Sequence, residues 1–346
     1  NEYGGFEQFV HFFAPYLVNE GVLVTVYSSH KHQYKKNEWK GVSLKHIWNP
    51  ERFFGPFGQF IYDLLSILHA RKHGFDTILQ LGYTSSSIWS FLLPSSSLVV
   101  TNMDGLEWKR TKYSSGVQKF LRTAEKWAVN SSDVLIADSI GIQDYLKSKY
   151  NKESVFIPYG AEVFKSSTSS ILSKYNLKPN EYNLLIARFE PENNIEMIIQ
   201  GNLAQKGKIL CLIGNSNNAF GESLQKKYQS NVIFLGPIYD QNDLNELRFH
   251  SNIYFHGHSV GGTNPSLLEA MACHCLIAAH SNAFNKAVLR EEAFYFSSAK
   301  DIEYLLKKKV EKVDYNHFIA SNLNKIITEY SFEKIHKAYL ELLIGF

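Results

Sequence analysis

Short runs rich in β-branched residues alternate with amphipathic stretches of helical spacing along nearly the whole chain. Phe6, Phe9, Val10, Phe13, Leu17 and Val18 share one helical face, with Gly21 as a stop. Residues 22–27 then read as a buried strand, 28–42 as a polar and basic loop, and 43–48 as a second strand. Helices are predicted at 59–72, ending at Gly74, at 86–93, at 117–129, and from the cap Ser139 to Lys149. Strands are predicted at 76–81, 98–102, 134–137 and 155–157. Pro158-Tyr159-Gly160-Ala161 is a turn, and residues 166–170 are Ser-rich, so the domain boundary is expected there.

A second series follows, with strands at 182–187, 208–213, 232–235, 253–255, 275–279 and 293–296. Its helices fall near 193–201, 219–229, 241–250, 265–273 and 285–291, and three more at 301–312, 315–328 and 331–343 end the chain. Such alternation predicts α/β architecture: parallel sheets with helices on both faces, in two Rossmann-like domains. We place these at 1–160 and 161–328, with a C-terminal helix in 329–346 packing back on the first. Two such domains facing each other would put a cleft at the carboxyl ends of both sheets. Asn1-Glu2-Tyr3-Gly4-Gly5 resembles the loop after a first strand, which is usually central in a doubly wound sheet. The expectation is an unrepresented strand of about 5 residues upstream of Asn1.

Composition narrows the classes. A hydrophobic fraction of 45% with 20% charged residues describes a globular protein, and 346 residues suffice for two domains. A net charge of +3, with no basic run interleaved with aromatics on one element, gives no case for nucleic acid. Cys211, Cys273 and Cys275 lie in apolar segments and read as packed thiols of a reducing compartment. No run of about 18 apolar residues occurs. Residues 31–57 mix Lys31, Lys35, Lys36, Lys40 and Arg52 with Trp39, Trp48, Phe53, Phe54 and Phe57. That mixture suits an anionic lipid surface, with a solvated loop over a core as the alternative.

The chemistry concentrates between His256 and Ala272. A strand runs into the Gly-rich stretch Gly261-Gly262-Thr263-Asn264, and Pro265 opens an apolar helix with Thr263 or Asn264 as cap. Unpaired N–H groups at a helix N-terminus attract anions. Glu269, one turn in, is a lone carboxylate among apolar residues and needs partners, for which ribose hydroxyls are suited. The alternative is a plain connector with Glu269 in solvent. Arg188 ends the first strand of the second domain, where a guanidinium fork suits a diphosphate; pairing with Glu190 or Glu192 on the rim is the alternative.

With Glu190-Pro191-Glu192-Asn193-Asn194, Gly236-Pro237 and Glu269-Ala270-Met271-Ala272, these pieces resemble the retaining glycosyltransferases of family 4, which have the GT-B fold. Tyr3-Gly4-Gly5-Phe6-Glu7, Asp104-Gly105-Leu106-Glu107-Trp108-Lys109-Arg110 and the run from His256 to Pro265 are similar to the subgroup of bacterial β-1,4-L-rhamnosyltransferases of capsule and cell-wall polysaccharide. The resemblance covers nearly the whole chain. It implies an acceptor-binding first domain and a donor-binding second one. It further implies a nucleotide-diphosphate sugar as donor, dTDP- or UDP-linked with dTDP-rhamnose as the best guess, and a lipid-linked saccharide as acceptor. Cofactor and metal are not implied, since no Asp-x-Asp pair is present to hold a metal against the diphosphate. Location in the bacterial cytoplasm, peripheral on the inner face of the plasma membrane, follows from the same likeness.

Residue by residue, the resemblance implies diphosphate binding by Arg188 and the N–H groups of Gly262, Thr263 and Asn264. It gives ribose binding by Glu269 and close backbone approach at Gly4 and Gly5. Asp104 is the candidate for touching the reacting sugar or acceptor; a turn-forming Asp before Gly105 is the alternative. The chain departs from the family where its Lys after the Arg is Asn193, where the first Glu of Glu-x7-Glu is Gly261, and where a first-domain His is replaced by the Asp104 region. His258 or Asn264 is expected to take over from the first Glu. The implied mechanism is front-face attack, with the leaving diphosphate oxygen taking the acceptor proton. Alternatives are transfer of glucose or N-acetylglucosamine, or nucleotide-sugar binding without catalysis. An oxidoreductase is disfavoured, for no Gly-x-Gly-x-x-Gly follows a strand with an acidic residue about 20 positions on.

Overall fold

The computed structural model describes residues 5–110, 113–166, 170–204 and 208–345. The chain divides into two compact units, each an α/β assembly. One comprises 1–108, 113–157 and 335–346; the other comprises 109–112 and 158–334.

In the first unit α1 (Gly5–Asn19) buries Phe9, Phe13, Ala14 and Leu17. Gly21 (φ 84) turns the chain, and the N–H of Val22 still donates to Leu17 O. The strand expected from residue 22 therefore starts only at β1 (Thr25–Ser29). The loop expected over 28–42 contains β2 (Glu38–Trp39), an antiparallel hairpin partner of β3 (Val42–Ile47). Lys40 and Gly41 both have positive φ, as a two-residue hairpin turn demands. Beyond α2 (Glu51–Phe54) and α3 (Gly58–His73) come β4 (Thr77–Leu81), β5 (Leu98–Asn102), α4 (Ser115–Ser131), β6 (Val134–Ala137), α5 (Ile140–Tyr150) and β7 (Val155–Phe156). Ser139 caps α5 as expected, accepting from Ile142 N at 3.3 Å. The strands fall into two sheets, β1-β3-β2 and the parallel β4-β5-β6-β7. The last helix, α14 (Phe332–Ile344), counts with this unit from Ile335 onward. Its Tyr339 hydroxyl accepts from Asn102 Nδ2 at 2.7 Å.

The second unit holds α6 (Ile171–Lys174), β8 (Tyr182–Ile186), α7 (Ile195–Leu203), β9 (Ile209–Ile213), α8 (Ala219–Tyr228), β10 (Ile233–Gly236), α9 (Gln241–Phe249) and β11 (Tyr254–His256). It continues with α10 (Pro265–Ala272), β12 (Ile277–His280), α11 (Ala283–Leu289), β13 (Phe294–Phe296), α12 (Ala299–Lys307) and α13 (Asn316–Thr328). Its six strands form one parallel sheet in the order β10-β9-β8-β11-β12-β13. β8 is buried along its length, which is why its sequence is a continuous apolar run broken only by Asn183. Two apolar clusters cover the two faces, one including Leu244, Leu268 and Met271, the other Ile198, Leu212 and Phe255. Strand order reverses beside β8, between β8–β9 and β8–β11, so the loops leaving β8 and β11 meet at a switch point.

Candidate functional site

At that switch point the loops after β8 and β11 are stitched together. Ser259 donates to the Glu192 carbonyl through both its N–H (3.0 Å) and its hydroxyl (2.8 Å), and Asn194 Nδ2 donates to Gly257 O at 2.8 Å. A Cβ on Gly257 would stand 2.0 Å from the Asn193 carbonyl oxygen, so only glycine fits. Arg188 is exposed at the carboxyl end of β8. Among the described residues it forms no ion pair with Glu190 or Glu192; Glu190 instead lies 3.9 Å from Arg110. Asn193 is buried, and its amide donates to the Arg188 carbonyl at 2.7 Å. Its side chain thus fixes the turn that carries the arginine.

The loop from His258 to Asn264 closes the site on the α10 side. Asn264 is the cap of α10: its Oδ1 accepts from Ser266 N at 3.0 Å, and its carbonyl accepts from Leu267 and Leu268. A small pocket is lined by His258, Gly261, Gly262, Asn264, Asn282 and Asn285. Gly261 has φ 130, a conformation that L side chains rarely adopt, so the family's first Glu would be strained here. The carbonyl of His258 is pinned by Asn282 (3.0 Å) and Asn285 (3.1 Å), a pair that pattern reading missed although Asn282 is a plain N-cap residue. The His258 ring stacks on that of His256, with centroids 4.5 Å apart. His256 is fully buried, and neither ring nitrogen has a hydrogen-bond partner among the described residues. Burial, with His258 and His280 nearby, drives the His256 pKa well down. Burial and then the Arg188 and Arg110 charges lower that of His258 to about 4. Both rings are neutral at pH 7.

Glu269 is paired, but with a residue the sequence did not announce. Its Oε2 accepts from Arg248 Nη2 at 2.5 Å; the Glu269 side chain is 12% exposed and that of Arg248 0%. The same guanidinium reaches Asn245 Oδ1 at 2.9 Å and Ser266 Oγ at 3.5 Å, and Ser266 Oγ sits 2.8 Å from the Tyr254 hydroxyl. No local signal announced it, since Arg248 stands in the mixed stretch Glu246-Leu247-Arg248-Phe249-His250.

The other site residues lie in the first unit or outside the described residues. Gly5 starts α1, and Gly4 is outside the described residues. Asp104 follows β5 with φ 50, its N–H donating to Asn102 Oδ1 at 2.9 Å. Nearby in sequence, Trp108 Nε1 donates at 3.1 Å to the buried Glu125, which also accepts from Tyr83, Tyr145, Lys149 and Tyr150. The structure therefore brings together Arg188, Asn193, His258, the Gly261–Asn264 turn and Glu269 in one unit, while Gly5 and Asp104 belong to the other.

A family model described as a domain of unknown function (DUF1972) matches residues 1–162. No curated protein matches the chain. Among solved structures, sucrose-phosphate synthase from Thermosynechococcus elongatus is similar over 99% of this chain and 94% of its own, at 16% identity and a TM-score of 0.82. Anabaena HepE, solved with UDP and glucose, is similar over 99% and 96%, at 17% identity and a TM-score of 0.77. WaaG, a glycosyltransferase involved in lipopolysaccharide biosynthesis, is similar over 100% and 98%, at 14% identity and a TM-score of 0.76. The chain has the GT-B fold that the resemblance to family 4 glycosyltransferases implied.

Proposed function

We propose that this protein is a glycosyltransferase that moves a sugar from a nucleotide-diphosphate donor to an acceptor hydroxyl. The observation that carries the reading is Glu269, a carboxylate held by a buried guanidinium on the helix that a glycine-rich loop opens, in the same unit as the exposed Arg188. A ligand at the loop would meet a helix N-terminus and a guanidinium, which suit a diphosphate, and a fixed carboxylate, which suits sugar hydroxyls. HepE was solved with UDP-glucose, which supports a donor of this class.

In the chemical step the acceptor oxygen bonds to the anomeric carbon as the bond to the diphosphate oxygen breaks, and that oxygen receives the acceptor proton. Arg188 counters the charge that grows on the phosphates. Asn193 holds the Arg188 turn, and His258 lies against the pocket. Transfer with retention, as in family 4, is the stereochemistry we assign. The donor we favour is dTDP-L-rhamnose, with a lipid-linked glycan of surface polysaccharide synthesis as acceptor. Among the described residues no helix is long and apolar enough to cross a membrane. Trp48, Phe53, Phe54 and Phe57 are 50–74% exposed and follow or flank Arg52 and the five lysines between 31 and 45 in sequence. Such a face would rest on anionic lipid, from the cytoplasmic side.

The test is transfer from dTDP-rhamnose, UDP-glucose and UDP-N-acetylglucosamine to a lipid-linked acceptor in anionic vesicles. Rhamnose should be transferred, with unchanged rate in chelator. Glu269→Gln should weaken donor binding by about 10- to 100-fold, while Arg188→Ala should chiefly slow turnover. Donor binding with no transfer to any acceptor would make the protein a binder, and transfer of a different sugar alone would replace rhamnose.

A further inference from the structure

A fully buried arginine is rare, because removing the guanidinium from water costs several kcal/mol unless its hydrogen bonds are made. Arg248 stands on α9 beside Leu244 and Leu247, whose apolar cluster includes Leu268 and Met271 of α10. An apolar side chain at 248 would serve that packing at lower cost. What the arginine adds is a fixed direction. Its backbone is pinned at the carbonyl, which accepts from Ser251 Oγ at 2.7 Å and Cys275 Sγ at 3.2 Å. Its fork is pinned by Asn245 on its own helix and leans on Ser266, which the Tyr254 hydroxyl holds from β11. Nη2 of the fork also donates to Glu269. Three elements thus set the orientation of one carboxylate.

We propose that Arg248 is the positioning residue for Glu269: it holds the carboxylate in the one orientation in which it accepts hydroxyls of the donor nucleotide's pentose. The proposal rests on the reading of Glu269 as that pentose's ligand. A carboxylate free to rotate would lose entropy on binding and would sample poor hydrogen-bond geometry; a clamped one is preorganised.

The experiment measures binding of UDP and dTDP, each against its counterpart without pentose hydroxyls, 2′,3′-dideoxyuridine diphosphate and 3′-deoxythymidine diphosphate. Wild-type protein should prefer the hydroxylated nucleotide of at least one pair by about 10-fold or more. In Arg248→Met that preference should fall to within about 3-fold of unity, with binding of the deoxy counterpart nearly unchanged. Arg248→Lys keeps the buried charge but not the fork, and should retain an intermediate preference. If Arg248→Met does not fold, Arg248→Lys carries the test, and an unreduced preference in it overturns the proposal. A folded Arg248→Met that keeps the wild-type preference, or loses affinity equally for both members of a pair, also overturns it, because Arg248 would then only support the fold. A wild-type protein that shows no preference in either pair refutes the pentose reading itself, so the two failures are told apart.

Discussion

Glu125 in one unit and Glu269 in the other are both carboxylates drawn away from water, and they are satisfied in opposite ways. Glu125 on α4 is 1% exposed and is ringed by small contributions: Tyr150 at 2.6 Å, Tyr145 at 2.7 Å, Lys149 at 2.9 Å, Trp108 at 3.1 Å and Tyr83 at 3.4 Å. Burial, and for Tyr145 and Tyr150 the bond to Glu125 as well, pushes the three tyrosine pKa values up, so these hydroxyls stay donors. Its cation among the described residues, Lys149, is partly in solvent. Glu269 has the reverse arrangement: the cation is wholly buried and the carboxylate keeps some exposure. A carboxylate surrounded by donors is finished business for the fold. One anchored from behind by a buried cation keeps part of its rim towards water.

The largest effect should come from breaking the first arrangement. Glu125→Leu strands four ring donors around an apolar side chain and should cost about 4 kcal/mol. All five tryptophans (Trp39, Trp48, Trp89, Trp108, Trp127) lie in the first unit, so urea unfolding followed by their fluorescence reads this loss directly. A loss below about 1 kcal/mol would remove the contrast.

Acid should come next. His258 carries a folded pKa of about 4 against an ordinary 6.5, and His256 is lowered too. Between those values the unfolded chain binds protons that the folded one refuses. The second unit should therefore be fully supported above pH 6.5 and lose up to about 3 kcal/mol as the pH falls towards 4. Amide protection in β11 and α10 should drop over that window, and His258→Gln should recover part of it. The first unit has its own acid-sensitive ring in His336, lowered to about 4 by burial, but no histidine hydrogen-bonds to Glu125 among the described residues. Flat protection in β11 and α10 would mean that these rings are not held neutral by the fold.

The smallest effect is expected from Ser266→Ala, which removes the hydroxyl between Tyr254 and Arg248 but leaves the Arg248–Glu269 pair. About 1 kcal/mol of stability should go, with nucleotide affinity changed less than threefold. Thermal unfolding and calorimetry would separate the two quantities. A larger loss of affinity than of stability would mean that the hydroxyl itself serves the ligand.

These two carboxylates also mark where sequence reading stops. The Ser139 and Asn264 caps were legible because capping is settled within three residues. The loop to α10 and the position of Arg188 were legible because strand, turn and helix are contiguous. Arg248 and Glu269 are separated by 21 residues, and the partners of Glu125 run from Tyr83 to Tyr150. Such pairings are decided by which helix packs on which, and no local periodicity carries that information. Strand onset was misplaced for a related reason: the Val22 N–H still belongs to the last turn of α1, which hydropathy does not record.

The glycine at 257 sets limits on how this edge of the protein can diverge. The Asn193 carbonyl leaves no volume for any side chain there, Ser259 is spent on Glu192 through two bonds, and Gly261 adopts a backbone few residues tolerate. Random codons across 257–261 would survive selection for a folded product mainly at 258 and 260. A library aimed at this loop should spend its diversity at those two positions and leave the others monomorphic.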